Sequence, residues 1–221
     1  MVKQTVADGA IILAGGPSSR MGEPKSLLKI EGIPMLVRVL NALHQSGIVQ
    51  GIISFKNKEQ GAFLLKELNC EHLHQGQLQI QDSDLPFRLV YDAEISQGRN
   101  SAVRGMQVPV LLAHKLGWKT VQLAPCDVPF LDAKLPPLLY SKLSWRRNCA
   151  APYSDSGLEP LLICAQTDEL NIALNDAHLA AHEVISKMKT ITVKPAEWRN
   201  AGLNERCFMN VNSAEDIQFI N

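Results

Sequence analysis

The chain has 221 residues, 46% of them hydrophobic but only 5% aromatic, enough for one sizeable and mainly aliphatic core. Its 22 Lys and Arg balance 22 Asp and Glu, which argues against a dedicated nucleic-acid binder, since that role needs a basic face. A small anionic ligand stays open, because a pocket can be cationic on a neutral protein. The five cysteines are scattered, odd in number and without a Cys-x-x-Cys pair, which speaks against a disulfide framework or structural zinc and for free thiols in a reducing cytosol. The apolar runs are too short to span a membrane, and no N-terminal run has the charged start, apolar centre and cleavage site of a signal peptide. The expectation is a soluble cytoplasmic protein.

Residues 9–14 read as a buried first strand. Residues 34–45 carry Met35, Leu36, Val39, Leu40 and Leu43 at helical spacing, with Ser46-Gly47 as the stop. A second strand follows at 48–55, a helix at 59–71 and a third strand at 87–90. Residues 101–116 read as a helix that Pro109 should kink or break. A fourth strand at 120–124 and a helix at 135–144 complete a βαβα alternation. Further on, 149–153, 158–164 and 190–193 read as strands and 168–176 and 182–188 as helices. Ser213 reads as an N-cap with Glu215 and Asp216 in the first turn. This order predicts an α/β fold: a doubly wound, Rossmann-like, mostly parallel sheet with helices on both faces. One domain over 1–221 is expected, with a polar and irregular insertion or mobile loop around 70–86.

Directly after the first strand, residues 13–25 read LAGGPSSRMGEPK. Gly15, Gly16 and Gly22 permit tight turns and close approach of backbone to a ligand, and exposed amides in such a turn form an anion nest. Arg20 and Lys25 can neutralise phosphate charge. The string is neither a P-loop nor a G-x-G-x-x-G dinucleotide fingerprint. Residues 121–131 read VQLAPCDVPFL, an apolar strand ending at Asp127. Magnesium takes oxygen ligands, commonly one or two carboxylates plus phosphates and waters, and Asp127 suits that role. Asp92 ends the third strand, and Asn210 and Asn212 alternate with Met209 and Val211, so the two amides should share a face. His178 and His182 have i,i+4 spacing but lack the Glu of a zinc-protease helix, and read as surface or core histidines. Cys126 adjoins Asp127 without a paired base and reads as packing.

The motif LAGG-x-S-x-RMG-x-x-K resembles the signature loop of the nucleotidyltransferases that activate sugar phosphates and cofactors, and in detail that of the molybdenum cofactor guanylyltransferases. The Pro125-Cys126-Asp127-x-Pro129 string resembles that family's metal-binding motif, and Asn210-x-Asn212 its C-terminal signature. The resemblance implies a fold of the nucleotide-diphospho-sugar transferase type. It implies transfer of GMP from Mg-GTP to the terminal phosphate of molybdopterin, or Mo-molybdopterin, with release of pyrophosphate. Leu13, Ala14, Gly15, Gly16, Arg20, Lys25, Asp92 and Asp127 would hold the nucleotide, with Lys25, Arg20 and Asp127 catalytic. Asp127 would hold Mg2+, and Asn210 and Asn212 would line the acceptor site. Upstream cofactor-insertion proteins and recipient molybdoenzymes become candidate partners. The related cytidylyltransferases usually carry LAAG in place of LAGG.

The chain also departs from the family. The turn after Asp92 is Gln97-Gly98-Arg99-Asn100-Ser101 rather than Gly-Pro-Leu, and Gly98-x-x-Ser101-x-x-Arg104-Gly105 is closer to the cytidylyl branch. Arg99 or Arg104 could contact phosphates, with a surface role equally open. Glu159-Pro160 stands where family members often have His-Pro. Ser54 and Asn57 are both open as the residue that reads the base. The rival functions are cytidylyl transfer or sugar-phosphate activation, and a non-catalytic nucleotide-binding regulatory domain.

Overall fold

The computed structural model describes residues 4–16, 24–92, 102–175, 179–213 and 215–216. The first strand, β1, spans Gly9–Leu13. A small hairpin, β2 (Lys29–Ile30) and β3 (Ile33–Pro34), leads into α1 (Met35–Gln45). Next come β4 (Gly51–Phe55), α2 (Lys58–Glu67), β5 (Cys70–His72), β6 (Leu78–Ile80) and β7 (Phe87–Tyr91). Helix α3 (Ala102–Lys115) returns to β8 (Thr120–Pro125), and α4 spans Leu135–Ser141. The last third holds β9 (Cys149–Ser154), β10 (Gly157–Leu158), β11 (Cys164–Gln166), α5 (Thr167–Ala173), α6 (Ala181–Ser186), β12 (Thr190–Val193) and α7 (Pro195–Asn200).

Among the described residues ten strands join one sheet, ordered β10-β9-β11-β8-β1-β4-β7-β6-β5 with β12 beside β9. The four central strands β8, β1, β4 and β7 are parallel, as the βαβ alternation requires. The period-2 geometry of β1 and β4 splits their side chains between two cores. Ile12 and Ile53 pack with Leu36, Leu40 and Leu43 of α1. Ile11 and Ile52 pack with Val103, Met106 and Val110 of α3. Helices therefore cover both faces.

Several boundaries differ from the sequence expectation. Helix α3 runs through Pro109 without ending. Burial of Val103, Met106 and Val110, about 1.5–3 kcal/mol each, exceeds the roughly 3 kcal/mol that an interior proline costs. The predicted helix at 59–71 ends at Glu67, and part of the segment expected to be irregular is a hairpin of β5 and β6 that extends the sheet edge. Gln75 and Gly76 supply its turn with φ of 60° and 70°. The predicted strand at 158–164 is interrupted, because Pro160 has no N–H for a ladder and a turn forms there, closed by Leu162 N–H on the Glu159 carbonyl at 3.2 Å. Helix α7 and the β2–β3 hairpin were not expected.

Gly9 has a packing reason to be glycine: a Cβ there would lie 2.3 Å from the Trp118 ring. Gly9→Ala should cost about 1–3 kcal/mol through overpacking, seen as a lower midpoint in urea, and Trp118→Leu should restore part of it. Equal stability of Gly9→Ala and wild type would refute this packing account.

Candidate active site

The chain builds β4 and β7 on one side of β1, then crosses to the other side for β8. Ligands of open α/β sheets bind at such a reversal, outside the carboxyl ends of the strands. The register brings those ends level: Leu13 is opposite Ser54 on one side and Pro125 on the other, and Ser54 is opposite Val90. The last rung is Cys126 N–H on the Leu13 carbonyl at 3.0 Å. A cavity of about 330 Å³ opens there, bordered by residues of every one of these strand ends.

Leu13, Ala14, Gly15 and Gly16 all border this cavity. Ala14 N–H donates to the Ser54 carbonyl at 2.9 Å and the Ala14 carbonyl accepts from the Gln60 side chain at 3.2 Å, so the chain is held on both sides as it leaves β1. A Cβ on Gly15 would lie 2.9 Å from the Lys56 backbone nitrogen and 3.3 Å from Asp92 Oδ2, whereas one on Gly16 would meet nothing within 4 Å. Of these two glycines, Gly15 is the one compelled by packing to lack a side chain.

On one wall, Asp92 is fixed by its N–H on the Phe55 carbonyl at 2.9 Å and accepts the buried Ser54 hydroxyl at 3.2 Å. Burial raises the proton affinity of its carboxyl, and the Ser54 hydroxyl, Lys56 and Arg104 act against that rise. Lys56 and Arg104 border the same cavity. Lys56 was not foreseen; its only sequence signal is its position one residue past β4.

On the other wall, Lys25 Nζ donates to Asp127 Oδ2 and to Asn212 Oδ1, each at 2.6 Å. Asp127 Oδ1 is buried and has no hydrogen-bond partner among the described residues. Val211 N–H donates to the Asp127 carbonyl at 2.8 Å, which seats the 208–212 segment along this wall. Asn212 borders the cavity; Asn210 is exposed and is not among its lining residues. Leu161, also unforeseen, closes the cavity on this side.

Other sequence candidates fall elsewhere. Arg20 and Gly22, Gly98, Arg99, Asn100 and Ser101, and His178 lie outside the described residues. Asn57 is exposed and caps α2, its side chain accepting from Gln60 N–H at 2.9 Å, so Ser54 is the one of the pair at the cavity. His182 is exposed on α6. Burial pushes the Cys126 thiol up to about 12, which fits packing and not nucleophilic chemistry. Among the described residues no three His, Cys, Asp or Glu side chains are placed to hold a metal together. No helix among them is long and apolar enough to cross a membrane.

Solved structures share this architecture over nearly the whole chain. A molybdopterin-guanine dinucleotide biosynthesis protein A from Archaeoglobus fulgidus matches with TM-score 0.66 at 16% identity, covering 96% of this chain and 95% of that one. A 4-diphosphocytidyl-2C-methyl-D-erythritol synthase from Anaerococcus prevotii matches with TM-score 0.65 at 13% identity, covering 97% and 94%. A nucleotidyl transferase from Methanothermobacter thermautotroptrophicus matches with TM-score 0.65 at 16% identity, covering 97% and 95%. No curated protein matches the sequence. The fold is one that α/β nucleotidyltransferases share, and a family match puts the chain in that class. Residues 10–190 match the MobA-like NTP transferase domain, and the chain belongs to that family.

Because the Ser54 hydroxyl donates to ionised Asp92, Ser54→Ala should raise the Asp92 pKa further, so that the carboxylate protonates at a higher pH than in wild type. A carboxyl ¹³C NMR titration reads this directly; an unchanged or lowered Asp92 midpoint would contradict the assignment.

Proposed function

We propose that the enzyme transfers GMP from GTP to the terminal phosphate of molybdopterin, or of its molybdenum-loaded form, releasing pyrophosphate and forming a molybdopterin guanine dinucleotide. The observation that carries this reading is Asp127. It stands at the strand reversal with one oxygen on Lys25 and the other buried without a partner among the described residues, facing the wall that holds Gly15 and Asp92. A ligand set with one carboxylate and no thiolate or imidazole suits magnesium, which completes its shell with phosphates and water. Asp127 would hold the ion, which when bound supplies positive charge to the triphosphate.

An acceptor phosphate oxygen attacks the α-phosphorus in line. The bond to the β-phosphate oxygen breaks and pyrophosphate leaves with the electron pair. The backbone turn at Gly15 and Gly16 cradles phosphate, Lys25 moves from Asp127 and Asn212 to the charge that develops on the phosphates, and Asp92 contacts the nucleotide. Arg20 and Asn210 are assigned to phosphate and acceptor by the motif resemblance alone. No covalent intermediate is needed, so catalysis is positioning plus electrostatics. We place the reaction in the cytosol, in keeping with five free cysteines, with upstream cofactor-insertion proteins and recipient molybdoenzymes as partners.

The Gly15-Gly16 pair, with no room for a methyl at Gly15, supports guanine. A second reading, cytidylyl transfer, is favoured by the Gly98-x-x-Ser101-x-x-Arg104 turn. Pyrophosphate release with each of four nucleoside triphosphates, magnesium, and molybdopterin present or absent separates the two. The expected result is release with GTP that depends on molybdopterin; CTP preference would replace the guanylyl reading.

Asp127→Ala should lower kcat by about 10²–10³-fold or more, the scale of deleting one transition-state contact, while circular dichroism stays native. Near-normal turnover would remove Asp127 from the mechanism.

A further inference from the structure

The backbone leaving β1 is tied to the backbone leaving β4 by one side chain that does not itself border the cavity. Gln60, in the first turn of α2, donates from its side-chain nitrogen to the Ala14 carbonyl at 3.2 Å, and its side-chain oxygen accepts Lys56 N–H at 2.9 Å. Ala14, Gly15 and Lys56 are all cavity residues. Helix capping accounts for only part of this arrangement. In a capping box the Gln at the third helical position reaches back to the N–H of the cap residue. Here the cap is Asn57, yet Gln60 reaches one residue further, to Lys56, and crosses to the end of another strand for its second bond. A neutral amide accepts from an N–H and donates to a carbonyl at once, which neither an ionised Glu nor a Lys can do.

The consequence lies in peptide geometry. A trans peptide is planar, with its carbonyl and its N–H on opposite sides. Fixing the Ala14 carbonyl toward Gln60 therefore turns the Gly15 N–H away from Gln60. That N–H donates to no group among the described residues, whereas the preceding Ala14 N–H is bonded to the Ser54 carbonyl. Glycine accepts either sign of φ, so an untethered turn would let this peptide rotate. The bond to Gln60 removes that freedom. The close approach of Gly15 to the Lys56 nitrogen, where a Cβ would lie at 2.9 Å, keeps the two strand exits together. A donor oriented before its ligand arrives has less ordering cost to meet on binding.

We propose that Gln60 is a positioning residue for the nucleotide: it locks the Ala14–Gly15 peptide so that the Gly15 N–H is presented to a phosphate oxygen, and it holds the Lys56 backbone beside that peptide. This rests on the reading above that the glycine turn holds phosphate, and is indifferent to which base is bound. One neutral hydrogen bond contributes roughly 2–10-fold in affinity, so loss of the pair should cost about fivefold or more.

The test uses the full-length chain. Calorimetry measures binding of Mg-GTP, Mg-CTP and magnesium tripolyphosphate, which has no base, and ¹⁵N NMR follows the Gly15 amide as the preferred nucleotide is added. Gln60→Met keeps the length of the side chain and removes both bonds. It should weaken tripolyphosphate and the preferred nucleotide by the same factor, about fivefold or more. The Gly15 amide proton, moved downfield by the nucleotide in wild type, should move less. Asn57→Ala is the control for a purely structural effect: it removes the cap that accepts Gln60 N–H, should lower the urea midpoint, and should leave both affinities nearly unchanged. Gln60→Ala, which has the best helix propensity, decides the matter if the Met variant is unstable. Wild-type affinities in a folded Gln60 variant would overturn the role of Gln60 and leave the nucleotide site standing. An equal loss in Asn57→Ala would reduce Gln60 to a helix cap and overturn it too. A loss for the nucleotide with tripolyphosphate unaffected would place the contact on the nucleoside, against the proposal. Wild type that binds none of the three ligands would bring down the phosphate-holding turn and the proposal together.

Discussion

The position of β1 between two parallel neighbours, with the chain reversing direction across it, is the constraint on which the site depends. Beyond Leu13 the strand ladder ends on one side at the Ser54 carbonyl and on the other at Cys126 N–H. The backbone past that point is released from the sheet between the tips of β4 and β8. Gly15 is then forced against the Lys56 backbone, and Asp127 faces it one strand away. The buried aliphatic faces on either side of β1 fix this register, because a one-residue slip would turn Ile11 and Ile12 into the wrong cores.

The two aspartates at this reversal are held in different electrostatic states. Asp92 is desolvated and steadied by a hydroxyl, with Lys56 and Arg104 acting at longer range. Asp127 is in direct contact with Lys25 and keeps a buried oxygen unpartnered among the described residues. Lys25 also ties Asn212 to Asp127, so three distant stretches of sequence meet at one ammonium group. The cavity is thus bounded by Asp92 with Lys56 and Arg104 on one wall and by the Lys25–Asp127–Asn212 cluster on the other.

Much of the fold was legible because its signals are local. The alternation of short aliphatic runs with amphipathic stretches placed β1, α1, β4, β7, α3 and β8 within a few residues, and required the parallel centre. The misses have physical causes. Pro109 carries a strong local penalty that buried packing outweighs, while Pro160 interrupts a run whose hydropathy alone looked like a strand. The short β5–β6 hairpin is polar on its surface, so hydropathy could not distinguish it from a loop. At the site, Lys25 and Asp127 stood out through their motifs, whereas Lys56 and Leu161 have no motif and became visible only as neighbours of the cavity.

By itself the sequence determined the class of fold, the strand ends that carry glycine and carboxylate, and the likeness of those motifs to nucleotidyltransferases, since each is a property of residues close together in the chain. Tertiary structure alone decided which residues face one another. Ser54 reaches Asp92 and Asn57 does not; Asn212 reaches Lys25 and Asn210 stays exposed. These are contacts between residues 38 to 187 positions apart or choices between near neighbours in the chain, and register and packing, not local pattern, settle them.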